Sequence, residues 1–196
     1  MPLTRRDFLC ATFSAGLAPA LADNALAEAF PINAKEAREV EYKFRRRDME
    51  FETPEPAGTI VVNPRKCFLY LVLGNGMATR YGCSVGKSAK AWQGEVTIKD
   101  KKEWPIWIPA PYHLGVKPDL AKYLPGGMPG GPGNPMGARA MYLYKGEVDT
   151  INRIHGGMKP RDIGRKATAG CIGMLNVDVV DLYDRVQLGA RVVMLG

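Results

Sequence analysis

Histidine and cysteine are scarce in this 196-residue sequence, which has two histidines and four cysteines. No two of the cysteines form a Cys-x-x-Cys pair. A zinc site needs three or four ligands held close together, usually cysteine thiolates and histidine imidazoles. The sequence therefore argues against a zinc finger or a multi-histidine centre, and we expect no metal. His113 follows a Pro-rich stretch and is predicted to lie in a surface loop.

The N-terminal apolar run is too short to cross a membrane. The uncharged, Ala- and Leu-rich run Phe8–Ala22 has 15 residues, whereas a spanning helix needs about 20. A basic start with Arg5 and Arg6, an apolar middle and a small-residue end are typical of an export signal, and this one resembles a twin-arginine signal. We predict cleavage after Ala27 or after Ala22. The alternative is an uncleaved amphipathic helix.

Acidic residues are outnumbered by basic ones, 20 to 27, which gives a formal net charge of +7. An exported protein with this excess is attracted to anionic polymers or lipid head groups. Nucleic acid is a poor candidate outside the cytoplasm, so we expect no nucleic-acid partner. The densest basic run, Lys43–Arg47, is interpreted as a solvated strand face.

Long helical patterns are rare, and the chain has 22 glycines and 15 prolines, which favour turns. One convincing helix is predicted to begin at Asn176, whose side chain suits an N-cap, to have Arg185 in its last turn and to end just before Gly189. A weaker helix is predicted over 118–123. Strands are predicted at 59–62, 67–73, 77–85, 95–98, 140–144, 150–155 and 191–195. This pattern indicates a mainly β sandwich or barrel with one or two short α-helices.

These elements divide the chain into three parts: a signal peptide over 1–27, an N-terminal arm or linker over 28–58, and one domain over 59–196. The Gly- and Pro-rich segment 125–137 has no regular pattern. Long loops in compact domains are often functional, although a plain connector is an equally open interpretation.

A nucleotide site is disfavoured despite a suggestive run, Gly82–Ser88. A phosphate loop requires the spacing G-x-x-x-x-G-K-[ST]. Tyr81 stands where the first glycine is needed before Gly86, so the match fails by one residue.

Cys171 is the candidate nucleophile. Cys10 leaves with the predicted signal, so three cysteines remain in an oxidising compartment, and an odd thiol there invites a reactive role. A cysteine nucleophile needs a proton acceptor, and His155 is available. The carbonyl of Gly156 is suited to fixing the imidazole tautomer, and the N–H of Gly170 is suited to holding an oxyanion. Taken alone, a buried filler cysteine and a structural histidine are equally open interpretations.

Cys67 and Cys83 flank the turn Gly74-Asn75-Gly76 symmetrically. A three-residue loop would set the two cysteines directly opposite each other, within reach of a disulfide. A two-residue turn would pair Cys67 with Ser84 and leave two ordinary buried thiols. Both outcomes stay open at this point.

The pattern His155-Gly156, then Thr168-x-Gly170-Cys171-Ile172-x-Met174-x-Asn176, closely resembles the L,D-transpeptidase catalytic domain, also called the YkuD domain. The histidine and cysteine are 16 residues apart, as in that family. The resemblance runs from about Thr59 to Leu195 and implies the family's β-sandwich. It departs at Gly173, where the family usually has an arginine. Arg153 is the first candidate to replace that arginine; Arg165 and Lys166 are others.

The resemblance implies a peptidoglycan enzyme of the periplasm with no cofactor and no transmembrane span. Cys171 would attack a tetrapeptide stem and form a thioester, with His155 as general base and then acid. Arg153, Thr168 and Asn176 would bind substrate. The acceptor would be a second stem amine, giving a 3–3 cross-link, or an envelope-protein amine. The alternatives are a peptidoglycan hydrolase with water as acceptor, and a catalytically weakened wall-binding homologue in which Gly173 has replaced the motif arginine.

Overall fold

The computed structural model describes residues 28–86 and 94–196. The predicted signal peptide and both of its cleavage sites lie outside the described residues, as do Lys87 and Ser88 of the phosphate-loop-like run. No helix within the two described ranges has the length and apolar content needed to cross a bilayer.

The described chain is built on nine strands in one sheet, in the order β1-β4-β3-β2-β9-β5-β6-β7-β8. Most neighbours are antiparallel; β2 with β9 and β7 with β8 are parallel. This confirms the mainly β class predicted from the sequence. The strands are β1 Arg47–Glu50, β2 Ile60–Asn63, β3 Phe68–Gly74, β4 Met77–Gly82, β5 Gly94–Glu103, β6 Arg139–Lys145, β7 Val148–His155, β8 Ile172–Gly173 and β9 Arg191–Met194.

The segment that follows β4 reaches across to β8, the last strand in this order. Ser84 forms an antiparallel bridge with Gly173 of β8, and Gly86 forms a parallel bridge with Thr168. The Ser84 N–H donates to the Gly173 carbonyl at 2.7 Å, and the Gly173 N–H donates back at 2.9 Å. These bridges hold the segment that carries Cys171 between β7 and the continuation of β4.

The β3–β4 hairpin sets Cys67 opposite Cys83, with the Cys83 N–H donating to the Cys67 carbonyl at 2.9 Å. The turn has two residues, yet the register is the one expected for a three-residue loop, because a bulge at Leu73 adds one residue to β3. Both thiols are free in the structure. Of the two registers left open by the sequence, the structure therefore has the one that pairs Cys67 with Cys83, and the disulfide is not formed.

Three short α-helices are present among the described residues: α1 Glu36–Glu39, α2 Pro111–Val116 and α3 Asn176–Arg185. The third helix is confirmed, and it has Arg185 in its last turn as predicted. Its predicted cap is wrong, because Leu175 occupies the N-cap position and no side chain caps the helix. The weaker predicted helix, Pro118–Tyr123, is a 3₁₀-helix.

The core lies between the sheet and α3, whose Val179 and Leu182 are fully buried. The chain before β2 packs against this core: Val40 and Phe44 are buried, and β1 pairs with β4. The basic run Lys43–Arg47 thus includes the start of an edge strand. Its Arg46 forms ion pairs with Asp178 and Asp181 of α3.

Candidate active site

Two neighbouring strands carry the candidate histidine and cysteine. In the parallel pairing of β7 with β8, Ile154 faces Ile172 and His155 faces Gly173. Cys171 directly precedes β8, so it lies beside the end of β7. Residues 16 apart in sequence are thereby placed on adjacent backbones.

Cys171 and His155 line one cavity of about 600 Å³. Among the other predicted site residues, Arg153 and Thr168 also line it, whereas Gly156, Gly170 and Asn176 do not. The rest of the wall is largely apolar and aromatic, with Trp107, Met136 and Tyr142 among its members. A mostly apolar cavity with a few polar side chains is the usual form of a small-ligand site.

His155 is buried, with 7% of its surface exposed. Its Nδ1 atom lies 2.8 Å from the carbonyl oxygen of Gly156. Since a carbonyl only accepts, this contact assigns the proton of the neutral ring to Nδ1 and leaves Nε2 basic. Burial lowers the pKa of His155, carbonyl contacts from Gly156 and Pro135 oppose that shift, and the Arg153 charge adds to it.

Cys171 is half-buried. Burial raises the pKa of its thiol, while a hydrogen bond from the Arg153 backbone N–H and the Arg153 charge act in the opposite direction. The pair at rest is therefore a neutral thiol beside a neutral imidazole. The Thr168 hydroxyl donates to the Cys171 carbonyl at 2.5 Å and so fixes the backbone at the nucleophile.

Asn176 lies behind the site and joins two loops. Its Oδ1 atom accepts the Ala138 N–H and the Gly157 N–H, each at 2.9 Å. The same atom approaches Gly137 and Gly156 so closely that a Cβ at either would lie 2.3 Å from it. The Asn176 side chain, predicted to cap the helix, therefore binds two loop N–H groups instead. Its closeness requires glycine at positions 137 and 156.

Gly170 packs against Gly86, away from the cavity. A Cβ built at Gly86 would lie 2.5 Å from the Gly170 Cα and 2.8 Å from its nitrogen. The second glycine of the phosphate-loop-like run is thus required by this close approach of two backbones. The contact supports the loop that leads into Cys171.

Arg153 is the cavity's cation. Its guanidinium makes a bidentate ion pair with Asp149, at 2.7 and 2.8 Å, and stacks over the Tyr142 ring at 4.1 Å. A bulge in β7 precedes it, in which the β-branched Ile151 has a φ of 62° and is 81% exposed. Bulges of this kind redirect side chains beside functional sites. Lys166, another sequence candidate, acts electrostatically on Cys67 instead.

The loop between β5 and β6 supplies residues that the sequence analysis missed. Tyr112 of α2 lines the same cavity as Cys171, and its pKa is raised by burial and by the charge of the Cys171 thiolate. His113 is a correction: it is half-buried, lines the cavity and accepts the Ala110 N–H at 3.0 Å, so it is not a surface residue. Pro111 at the start of α2 was the available helix signal.

Two polar residues hold this loop in place. The buried Asn134 amide donates to the carbonyls of Pro105, Met128 and Pro129 at 2.9–3.0 Å. Glu28 binds Trp104 through the indole N–H at 3.0 Å and pairs with the buried guanidinium of Arg139, so it links both ends of the loop. The segment 125–137, left open from the sequence, contributes Pro135 and Met136 to the cavity wall.

Within the part of the chain that the structure describes, no three His, Cys, Asp or Glu side chains are grouped so that they could hold a metal ion. The side chains available at the cavity include one thiol, two imidazoles, two phenols and one guanidinium.

Comparison with known sequences matches residues 57–194 to the family model of the L,D-transpeptidase catalytic domain, YkuD. A Bacillus subtilis protein that carries an L,D-transpeptidase name, YqjB, is 31% identical over 144 residues, or 72% of this chain and 73% of its own. The chain spans less than half the length of several other curated relatives, 48%, 38% and 29%.

Comparison with solved structures gives the same fold. A Brucella melitensis protein, titled a carnitine operon oxidoreductase, has 48% identity and a TM-score of 0.54, covering 83% of this chain and all of its own. That title belongs to the Brucella protein. A mutant L,D-transpeptidase of Enterococcus faecium has 14% identity and a TM-score of 0.52, covering 71% of this chain and 50% of its own, and shows likeness of fold alone.

Proposed function

Because this chain belongs to the L,D-transpeptidase catalytic domain family, we propose that it is a cysteine-dependent acyltransferase that acts on peptidoglycan stem peptides in the periplasm. The observation that carries the proposal is the parallel pairing of β7 with β8, which brings Cys171 and His155 to the wall of one cavity. The export signal predicted over 1–27 belongs to the same proposal.

The first half-reaction forms a thioester. The Cys171 sulfur attacks the carbonyl carbon at the L-centre of diaminopimelate in a tetrapeptide stem, while its proton passes to Nε2 of His155. A C–S bond forms, and the carbonyl π electrons move to oxygen. When the tetrahedral intermediate collapses, the C–N bond breaks, and His155 returns the proton to the departing amine of D-alanine.

The second half-reaction transfers the acyl group. An acceptor amine attacks the thioester carbon and loses a proton to His155. The C–S bond then breaks, and the thiol is restored. A second stem as acceptor gives a 3–3 cross-link, and an envelope-protein amine gives a protein tethered to the wall. The bonds balance without a metal, an oxidant or an organic cofactor.

The neighbouring residues have supporting roles in this proposal. Gly156 holds the imidazole through its carbonyl, and Asn176 holds the Gly156–Gly157 backbone. Thr168 fixes the Cys171 carbonyl, and the Cys171 N–H is assigned to the developing oxyanion, with Gly170 packed against Gly86 in the loop that leads into it. Arg153 lines the cavity beside both reacting residues and presents its remaining N–H groups to the stem.

A transfer assay tests the proposal. The full chain is incubated with a tetrapeptide stem donor and an amine-bearing acceptor stem, and products are resolved by mass spectrometry. We expect a cross-linked product and released D-alanine, and neither product from His155→Ala. A tripeptide formed by water alone would support the hydrolase alternative instead. Release of no D-alanine by the folded protein would contradict enzymatic function and leave a wall-binding homologue.

A further inference from the structure

Gly173 and Met158 share one space beside the nucleophile. A Cβ built on Gly173 would lie 2.5 Å from both the Cγ and the Sδ of Met158, and 3.3 Å from the Thr168 methyl group. Contacts under 3 Å do not occur for real Cβ atoms, so the Met158 side chain fills the volume into which a side chain at 173 would project. Met158 also lines the cavity that contains Cys171.

The backbones of both residues are fixed. The Gly173 N–H and carbonyl are both bonded to Ser84, at 2.9 and 2.7 Å, and the Met158 N–H donates to the Met174 carbonyl at 3.1 Å. Neither residue can withdraw from the other by a small backbone shift without loss of these bonds. The thioether of Met158 therefore occupies the space of the side chain that Gly173 lacks.

This replacement changes the charge of the cavity wall. The family motif that this chain resembles places an arginine at the position of Gly173. Here the described lining residues include one lysine or arginine side chain, Arg153, and its guanidinium is already paired with Asp149. A substrate carboxylate placed against Met158 would lose its water shell and gain no cation, which is unfavourable. An uncharged group placed against Met158 loses much less hydration free energy.

We propose that Met158, together with Gly173, is a specificity-determining residue that selects an acyl donor whose side-chain group against this part of the wall is uncharged. The proposal rests on the transpeptidase function proposed above. For a diaminopimelate stem, it specifies the carboxamide form of the side-chain carboxylate as the preferred donor. The amide is nearly the same size as the carboxylate, so the selection acts through charge.

Matched donors test the proposal. Two tetrapeptide stems, alike except for a carboxylate or a carboxamide on the diaminopimelate side chain, are incubated separately with the full chain, and acyl-enzyme formation is followed by intact mass. We expect the amide donor to acylate the wild-type protein about tenfold faster or more, since the carboxylate would lose hydration at this wall without gaining a cation.

Four variants locate the cause. Met158→Lys puts a cation into the same space and is expected to lower the amide-to-acid rate ratio about tenfold, whereas the neutral Met158→Leu keeps it. The double variant Met158→Ala/Gly173→Arg clears the space for a guanidinium and is expected to shift the ratio in the same direction. Gly173→Arg alone is expected to slow both donors, because Met158 blocks its side chain.

Equal rates of the two donors with wild-type protein would overturn the proposal, as would an unchanged ratio in a Met158→Lys protein that still acylates. Acylation by neither donor would instead contradict the transpeptidase function itself, and with it this inference. The two failures are therefore distinguishable in one experiment.

Discussion

The side chain of Asn176 accepts the backbone N–H of Gly157 at 2.9 Å, two residues beyond His155. The Gly156 carbonyl between them lies 2.8 Å from the His155 ring. Asn176 therefore holds the group that orients the imidazole, although it does not line the cavity. It is a positioning residue whose effect reaches the reaction through His155.

Asn176→Ala is expected to slow acylation about tenfold to a hundredfold, because small misplacements of a catalytic group have effects of this size. Asn176→Asp keeps an oxygen acceptor for both N–H donors and is expected to retain most of the rate. The readout is the pH–rate profile of acylation. An Asn176→Ala profile with the wild-type rate and midpoint would contradict the positioning role.

The pH dependence of acylation follows from His155. Burial lowers its pKa below the usual 6.5, so the imidazole is neutral and basic at pH 7. Acylation should therefore be lost as the pH falls through a midpoint below 6.5 and should be constant between pH 7 and 8. Stopped-flow or quenched rates from pH 4.5 to 8 measure this. A midpoint above 7 would show that the histidine is charged at rest.

The thiol of Cys171 should behave as an ordinary or weaker acid. Burial raises its pKa above the usual value, and the Arg153 contacts only partly oppose this. Iodoacetamide should therefore label Cys171 slowly at pH 7 and faster as the pH passes 9. Cys67 and Cys83 are buried and serve as internal controls in the same peptide map. Rapid labelling at pH 6 would reveal a thiolate at rest and contradict the neutral pair.

Asp178 offers a stability prediction away from the site. Burial raises its pKa to about 6, although Arg46 opposes the shift, and 8% of the side chain is exposed. A folded pKa above the unfolded value means that stability falls as the pH rises from about 4 to about 6. Asp178→Asn removes this loss and should raise the free energy of unfolding at pH 7.5 by about 3 kcal/mol, with little change at pH 4.

Asp181 is the matched control for Asp178. Burial favours its protonated form, but hydrogen bonds from Tyr81 and Arg185 and the charge of Arg46 lower its pKa overall. Asp181→Asn should therefore destabilise the protein at pH 7.5. Urea unfolding of both variants at pH 7.5 and pH 4 measures the difference. Destabilisation by Asp178→Asn at pH 7.5 would contradict the account.

Much of the fold was predictable because its strands are local patterns with clear turns. The helix that begins at Asn176 was predicted from its apolar spacing and charged ends, and the pairing of Cys67 with Cys83 was one of two registers that the sequence left open. The bulge at Leu73 was not, since nothing local distinguishes a three-residue loop from a two-residue turn with an added residue. Strand β8 has two residues and is formed by its neighbours, so it carries no periodic signal.

The site was predictable only as far as its motif extends. Cys171 and His155 follow from the family motif that the sequence resembles, but Tyr112 and Met158 reach the cavity through folding of distant loops. Asn176 was interpreted as a helix cap because asparagine favours that position, and the competing demand came from two backbone N–H groups, one of them 38 residues away. His113 was predicted to lie in a surface loop, but it belongs to α2 and lines the cavity.

The central claim is that Cys171 carries the acyl group. The most direct measurement is the mass of the full chain after brief incubation with a tetrapeptide donor, followed by peptide mapping. The account predicts a gain equal to the donor minus D-alanine, confined to the peptide with Cys171, released by hydroxylamine and absent from Cys171→Ala. An acyl mass that persists in Cys171→Ala, or one that maps to another residue, would contradict it.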